Sequence, residues 1–518
     1  MTDPTELDPS TPVVIGVGQA SDPIGSPDYH RWGAVDLAAA AAAAALEDAG
    51  IDPATVDTVA GVRQFEISTP MASAPLGRSD NYPRSVAQRV GADPKRAVLE
   101  VVGGQSSQHL VTEFAKAIAR GEAGTVLLFG SEAISTTRAL AGQEDAPSFE
   151  EHVGGELEDR GYGLEGLASP QLYEHGLTDA PSQYALFENA RRARKGSTRE
   201  EYAREMGELF EPFTKVAARN PFAAAPTERS ALELVTVTER NRMIADPYPR
   251  FVVARDQVNQ GAAVVLTSVR AARAAGVPES KWVFLHGTAD LREKVLLDRP
   301  DLSTSPAAIR AAELALERAG AAAGDVATFD LYSCFPIAVL NVADGLGLAH
   351  TDQRGLTVTG GLPFFGGAGN NYSMHAIAST VELLRQHPGT IGFVGANGGS
   401  LSKYSAAVYS TEPRPFAVWS DDDEQAALDA VPSPEVSAAP SGEGVVETYT
   451  VKYGRAGATG VIVGRLDDGS RFLATTRPDD RETIGRLLAE HPFGMRVRLT
   501  TEGAHAFATA ELDQAPAE

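Results

Sequence analysis

The chain is 518 residues long with 43% hydrophobic and 22% charged residues, a globular composition that suits two to four domains and excludes a disordered chain. A formal charge of −24 argues against a nucleic-acid or anionic-membrane surface, because phosphate binding needs a basic footprint that here is at most local. The single cysteine, Cys334, excludes an internal disulfide and a cysteine-rich metal site, and fits a reducing compartment.

No apolar stretch approaches the roughly 20 residues needed to cross a bilayer. The acidic start MTDPTELDPSTP lacks the charged and apolar regions of a signal peptide. The expectation is a soluble, cytoplasmic protein with no membrane insertion and no nucleic-acid partner.

In chain order, residues 13–18 (VVIGVG) read as a buried strand and residues 34–50 (AVDLAAAAAAAALEDAG) as a helix stopped by glycine. Residues 98–102 form a strand pattern that runs into Gly103, Gly104, Gln105 and Ser106, a helix start. Another strand follows at residues 124–130 (GTVLLFG). About 120 residues rich in Glu, Gly, Arg and Pro then precede a strand at Phe251, too long a segment for a structureless loop. Helical stretches at 184–195 and 199–209 make it a lid or cap domain over a cleft, with its most basic run at Arg191, Arg192, Arg194 and Lys195.

The second half repeats the first. Residues 307–320 (AAIRAAELALERAG) answer the first helix, Gly366, Gly367, Ala368 and Gly369 open a second glycine-framed helix, and residues 388–395 (PGTIGFVG) answer GTVLLFG. The three landmarks keep their order at offsets of about 263 to 270 residues, far beyond a solenoid period. They imply a duplicated α/β unit, each sheet covered by helices, with a cleft between the copies.

After residue 415 the pattern changes. Residues 420–430 are an acidic helical run and 431–443 a Pro/Ser/Ala linker. Beyond it, residues 446–453, 460–466, 471–475 and 495–499 alternate as strands, Asp468-Gly469 signals a hairpin, and 479–490 reads as one helix. Such a tail suits a small OB-like barrel or an unrelated small β-barrel; it is neither basic nor rich in exposed aromatics, which disfavours nucleic acid.

The duplicated core resembles the thiolase superfamily. The resemblance rests on the glycine-framed helix in each half, the strand Asp256-Gln257-Val258-Asn259-Gln260-Gly261-Ala262-Ala263-Val264-Val265-Leu266, and the preceding Met243-Ile244-Ala245-Asp246-Pro247. It covers roughly residues 10–412 and is nearest to the sterol-carrier-protein-type and thiolase-like branches, often labelled acetyl-CoA acetyltransferase. The tail is similar to an additional C-terminal domain of some thiolase-like proteins. The implied fold is α/β: a duplicated thiolase fold in αβαβα layers, with a loop domain inserted at about 134–245 and a small C-terminal OB-like β-barrel. The implied segments are 1–270, 271–415 and 416–518. A coenzyme A thioester would enter between the halves, no cofactor would be covalently bound, and a homodimer would form through the first half unless the tail covers that surface.

The family's reactive positions are altered. Its nucleophilic cysteine, activated by a helix N-terminus, falls on Gly104, and its second cysteine on Ala396. Its Gly-His-Pro histidine falls on Gly367, and the Asn-Glu-Ala-Phe segment becomes Tyr332-Ser333-Cys334-Phe335. Tyr332 offers a phenol where the family manages carbonyl charge, as in steroid side-chain aldolases of the superfamily; equally, it is a core aromatic. Ser333 and His375 are the other catalytic candidates, His375 being also a helix-packing residue. Cys334 reads as a packed small residue. Gly104, Gln105, Ser106, Gly369 and Asn370 frame helix starts suited to a carbonyl or anion, Asn370 and Asn371 serving equally as caps. Arg191, Arg192 and Lys195 are candidates for a coenzyme A phosphate, or form a solvated helix face.

Two functions are therefore expected. One is an acyl-CoA-binding protein without thiolase cysteines that makes or breaks a carbon–carbon bond non-thiolytically; the other is a non-catalytic carrier of coenzyme A or acyl-CoA in lipid metabolism.

Overall fold

A computed structural model describes residues 7–164, 167, 169–454 and 457–511. Residues 1–6 of the acidic start lie outside it.

The first half contributes β1 (Pro12–Ser21), β2 (Thr58–Val62), β3 (Arg96–Glu100), β4 (Val126–Glu132) and the short β5 (Glu158–Asp159). After the inserted region, which carries β6 (Met243–Ala245) and β7 (Tyr248–Pro249), the half is completed by β8 (Gln260–Ser268). The second half supplies β9 (Val283–Arg292), β10 (Thr328–Leu331), β11 (Ile391–Gly398) and β12 (Lys403–Ser410). The strands run β10-β11-β12-β9-β1-β8-β4-β2-β3-β5. Outward from the seam, β9-β12-β11-β10 repeats the order β1-β8-β4-β2, so the repeat seen in sequence is a repeat of topology. The halves meet where β1 and β9 pair antiparallel, Val13 opposite Phe284 and Val14 opposite Val283.

The alanine-rich helices are explained by close approach. A Cβ at Gly16 of β1 would lie 2.2 Å from the carbonyl oxygen of Ala45, and one at Gly287 of β9 would lie 2.1 Å from that of Ala315. In each half a glycine and a small-residue helix stripe let backbone meet backbone, and larger side chains at either position would push the outer helix off its sheet. The central helices, Ser106–Ala119 and Tyr372–Gln386, touch each other and the strands of both halves, forming the middle of five layers.

The inserted region folds mainly as the helices Ala180–Lys195, Arg199–Ala217 and Ala231–Val235. The strand expected at Phe251 is instead a 3-10 turn, Arg250–Val252, and the extended strand begins nine residues after Phe251, at Gln260. The free edge of β3 is covered by the chain's own β5, Val98 opposite Glu158 and Leu99 opposite Asp159.

The tail closes into a five-stranded barrel of β13 (Gly442–Gly454), β14 (Gly457–Leu466), β15 (Arg471–Thr475), β16 (Arg496–Glu502) and β17 (His505–Ala510). The ring runs β13-β14-β15-β17-β16-β13, with β15 and β17 parallel and the helix Arg481–Leu487 between β15 and β16. That order is OB-like. The sequence pattern missed β17, whose residues His505–Ala510 follow a tight turn at Gly503, φ +64°.

Candidate functional site

Four largely buried segments from the two halves meet where the sequence pattern predicts the cleft: 101–105, 332–335, 366–371 and, at the end of β11, 395–399. Hydrogen bonds stitch them together across the repeat. Gly103 N donates to Asn370 Oδ1 (3.0 Å), Ser373 Oγ donates to the Gly104 carbonyl (2.6 Å), and Tyr332 N donates to the Gly395 carbonyl (3.1 Å). Asn370 Nδ2 also reaches the Arg63 carbonyl (2.8 Å), and Asn371 spans Gly130 (2.7 Å) and Ser107 (3.2 Å). Neither asparagine caps its helix by side chain, and both amides are committed to joining the two helix starts.

Gly104 has no room for a side chain. A Cβ there would lie 2.1 Å from the Tyr332 hydroxyl oxygen and 2.5 Å from the Asn397 carbonyl oxygen. The Tyr332 ring is 6% exposed, meets Tyr372 edge-on at 5.5 Å, and its hydroxyl has no hydrogen-bond partner among the described residues. Burial, with Cys334 beside it, holds the phenol well above its ordinary pKa, so at neutral pH it is an O–H donor. Burial likewise pushes the Cys334 thiol up to about 12, so it is not a thiolate.

Ser333 and His375 are engaged elsewhere. Ser333 Oγ accepts from Leu362 N (3.1 Å) and fixes the adjacent glycine turn. His375 Nδ1 contacts Gln19 Oε1 on β1 (2.8 Å), its ring meets Phe365 at 5.0 Å, and burial lowers its pKa to about 3. It is a neutral packing residue with no hydrogen bond to Tyr332. Gln105 is wedged between Gly103 and Gly398, where a Cβ would lie 2.0 Å or 1.7 Å from its Oε1, and that oxygen has no partner among the described residues. Ser106 Oγ donates to the Val101 carbonyl (2.9 Å). Gly369 leaves space for the buried Glu132 carboxyl, 2.0 Å from where its Cβ would be; Gly367 N donates to the Arg255 carbonyl (2.8 Å); Ala396 lies buried in β11 opposite Ser405.

The helix Ala180–Lys195 adds two residues that the sequence did not single out. Tyr184 Oη donates to the Gly399 carbonyl (2.6 Å) and accepts from Asn397 Nδ2 (2.6 Å), while its ring stacks on Phe335 at 4.4 Å. Glu188 accepts from Ile337 N (2.8 Å) and Tyr248 Oη (2.7 Å). Burial raises Glu188 to about 7 against the opposing bonds from Tyr202 and Tyr248 and the charge of Arg191. Their spacing of four on one helix face was the available signal.

The placement of Arg191 and Arg192 corrects the expectation that they meet a phosphate or form a solvated face, whereas Lys195 lies on the exposed end of the helix. Arg191 is 1% exposed and forks onto Asp344 (2.8 and 2.9 Å) and Glu205 (3.0 Å). Arg192 binds Tyr449 Oη and the Glu490 carbonyl, both at 3.1 Å, and Lys195 binds Glu205 at 2.8 Å. Two buried cations require such partners, because leaving one unpaired costs several kcal/mol, about 3–5.

Another set of arginines is free. A cavity of about 460 Å³ is lined by Arg229, Arg240, Arg250 and Arg255 with Phe251 and Phe364. None of the four forms a salt bridge among the described residues; Arg229 lies over the Phe251 ring at 4.1 Å, and Asp256 is held by Arg138 at 2.7 Å. Burial first, then the charges of Arg250 and Arg229, hold Arg255 below its ordinary pKa against the opposing charge of Asp256. The cavity adjoins the cleft: Ala254 N donates to the Cys334 carbonyl (3.0 Å) and Arg255 N to the Leu362 carbonyl (3.1 Å). Spread over 27 residues of sequence, these arginines form no visible run.

Residues 423–504 match the family described as thiolase-like protein type 1 additional C-terminal domain. Among solved structures, the chain is similar to a monomeric SCP2-thiolase-like protein type 1 from Mycobacterium smegmatis, at 48% identity over 97% of this chain and 100% of that one, TM-score 0.84. It shares the fold of an Ltp2–ChsH2(DUF35) aldolase at 21% identity, over 78% of this chain and 98% of that one, TM-score 0.57. It also shares that of human mitochondrial 3-ketoacyl-CoA thiolase at 18% identity, over 78% and 99%, TM-score 0.55. No curated protein matches the chain. With a relative this similar along nearly its whole length, the chain belongs to the SCP2-thiolase-like protein type 1 family.

Proposed function

We propose that this protein binds a coenzyme A thioester, its phosphates held by Arg229, Arg240, Arg250 and Arg255 and its acyl end directed to the turns around Gly104 and Tyr332, without forming an acyl-enzyme. The observation that carries the proposal is the cavity of four arginines without salt bridges, on a chain of net charge −24, hydrogen-bonded through Ala254 to the turn that bears Cys334 and through Arg255 to Leu362. Unpaired guanidinium groups with an aromatic wall suit phosphates and an adenine ring. Thiolysis lacks a nucleophile: Gly104 and Ala396 carry no reactive group, and Cys334 is a buried neutral thiol. Titration calorimetry with coenzyme A and an acyl-CoA tests the reading; binding of both is expected, and no heat with either overturns it.

A second reading rests on Tyr332. Its neutral, unpartnered hydroxyl at the cleft suits donation to a substrate carbonyl, and hence a retro-aldol cleavage of a β-hydroxyacyl-CoA. In that step the β-hydroxyl loses its proton, the Cα–Cβ bond breaks to give an aldehyde or ketone, and the acyl-CoA enolate takes up a proton. Release of a carbonyl product supports it; intact substrate across pH 5 to 9 leaves the binding role alone.

A further inference from the structure

The helix Ala180–Lys195 has two working faces. One carries Tyr184 and Glu188 into the cleft, where they hold Gly399, Asn397 and Ile337. The other is bound to the C-terminal barrel. Thr448 Oγ1 donates to the Leu186 carbonyl (2.6 Å), Asn189 Nδ2 donates to the Tyr449 carbonyl (3.0 Å), and Arg192 reaches Tyr449 Oη (3.1 Å).

The barrel also depends on this contact. β16 pairs with β13 only through residues 442–445, so the edge of β13 beyond that point would be open. It is closed by the inserted region instead: Asp246 N donates to the Val451 carbonyl (2.9 Å), Lys452 lies opposite Ala245, and Thr450 Oγ1 donates to the Asp246 carbonyl (2.9 Å). The Asp246 carboxylate, fully buried, pairs with Arg199, which also binds Tyr449 Oη at 2.8 Å. A strand edge sealed in this way is not available to another chain.

We propose that the barrel is a fixed brace for the cleft: by clamping the helix Ala180–Lys195 it keeps Tyr184 and Glu188 seated on the turns at 334–337 and 397–399. The proposal stands on these contacts and is independent of coenzyme A binding. Tyr184 and Glu188 act as positioning residues, since what they touch is the frame of the cleft.

The chain's sole thiol reports on the brace, because Cys334 lies under Tyr184 and Asn397 and reacts only when that cover opens. The experiment measures the rate at which an aromatic disulfide reagent modifies Cys334 in the native full chain. Asn189→Leu and Thr448→Val both cut the barrel's hold, and each is expected to speed modification by about tenfold, the effect of weakening a local opening by one or two hydrogen bonds. Arg204→Ala, a 57%-exposed side chain on the neighbouring helix, serves as the control and is expected to leave the rate unchanged. Unchanged rates in both interface variants, or equal acceleration in the control, overturn the proposal. Should Asn189→Leu fail to fold, the milder Thr448→Val decides alone.

Discussion

The Tyr332 hydroxyl fills the space that a side chain at Gly104 would need: a Cβ on Gly104 would lie 2.1 Å from that oxygen. The two positions are therefore coupled, and the absence of a cysteine at one is built into the presence of a phenol at the other.

Gly104→Cys should consequently destabilise the protein by about 1–3 kcal/mol through overpacking. Paired with Tyr332→Ala, the same cysteine loses its clash with the phenol, while the Asn397 carbonyl oxygen, 2.5 Å from its Cβ, still has to shift; at a helix start a thiol pKa falls to about 7 or lower. Alkylation rates against pH, with the modified cysteine located by mass spectrometry, should show a second thiol in the double variant that titrates well below Cys334. A new thiol as inert as Cys334 would show that this helix start does not activate a thiol.

Replacing Arg250 or Arg255 by Ala should weaken coenzyme A binding by about 10- to 100-fold each, the worth of a charge-assisted contact of roughly 1.5–3 kcal/mol. Arg191→Met should instead lower stability, because it removes the buried guanidinium from Asp344, Glu205 and Tyr202 and leaves the two carboxylates to Arg194 and Lys195. Calorimetry and urea unfolding on the same variants separate the two roles. Affinity unaffected by both substitutions in the cavity would remove the phosphates from it.

Glu188 should make stability depend on pH. Its folded pKa, about 7, lies above an ordinary value of 4.5, so folding takes up a proton between them. The stabilisation is complete below pH 4.5 and is lost as pH rises through 7, amounting to at most about 3 kcal/mol. Glu188→Gln, which cannot ionise, should flatten that part of the profile in urea titrations between pH 5 and 8. An identical slope in parent and variant would assign the dependence to another group.

The protein should sediment and scatter light as one chain. The edge of β3 that would be open to a second subunit already carries β5, anchored by the Arg63–Asp159 pair and by Arg160 on Glu100 and Glu113, both at 2.6 Å. A stable dimer at micromolar concentration would mean that another surface associates.

The duplication, the layered α/β core and the change to strands after residue 415 were legible because they are local patterns. Glycine-framed helix starts, an alanine-rich stripe and period-two alternation depend on neighbours within one element. The strand placed at Phe251 missed because a turn rich in arginine and valine, residues 250–255, has a strand's composition while its backbone bends to meet Cys334 and Leu362. That Gly104, Gly367 and Ala396 carry no reactive side chain was legible residue by residue.

What surrounds those positions was decided by the tertiary structure. No spacing in the sequence relates Gly104 to Tyr332, 228 residues apart, or brings Tyr184 and Glu188 onto the cleft. Of the basic run at 191–195, which looked like charged surface, Arg191 and Arg192 proved buried, and Arg192 joins the inserted region to the barrel. The cavity's arginines without salt bridges lie at wide spacings within one stretch, residues 229–255, and the fold gathers them around one space. Charge in a sequence is only a count; whether a cation is exposed, paired or waiting for an anion depends on which carboxylates the fold sets within about 4 Å of it, and on how much water remains.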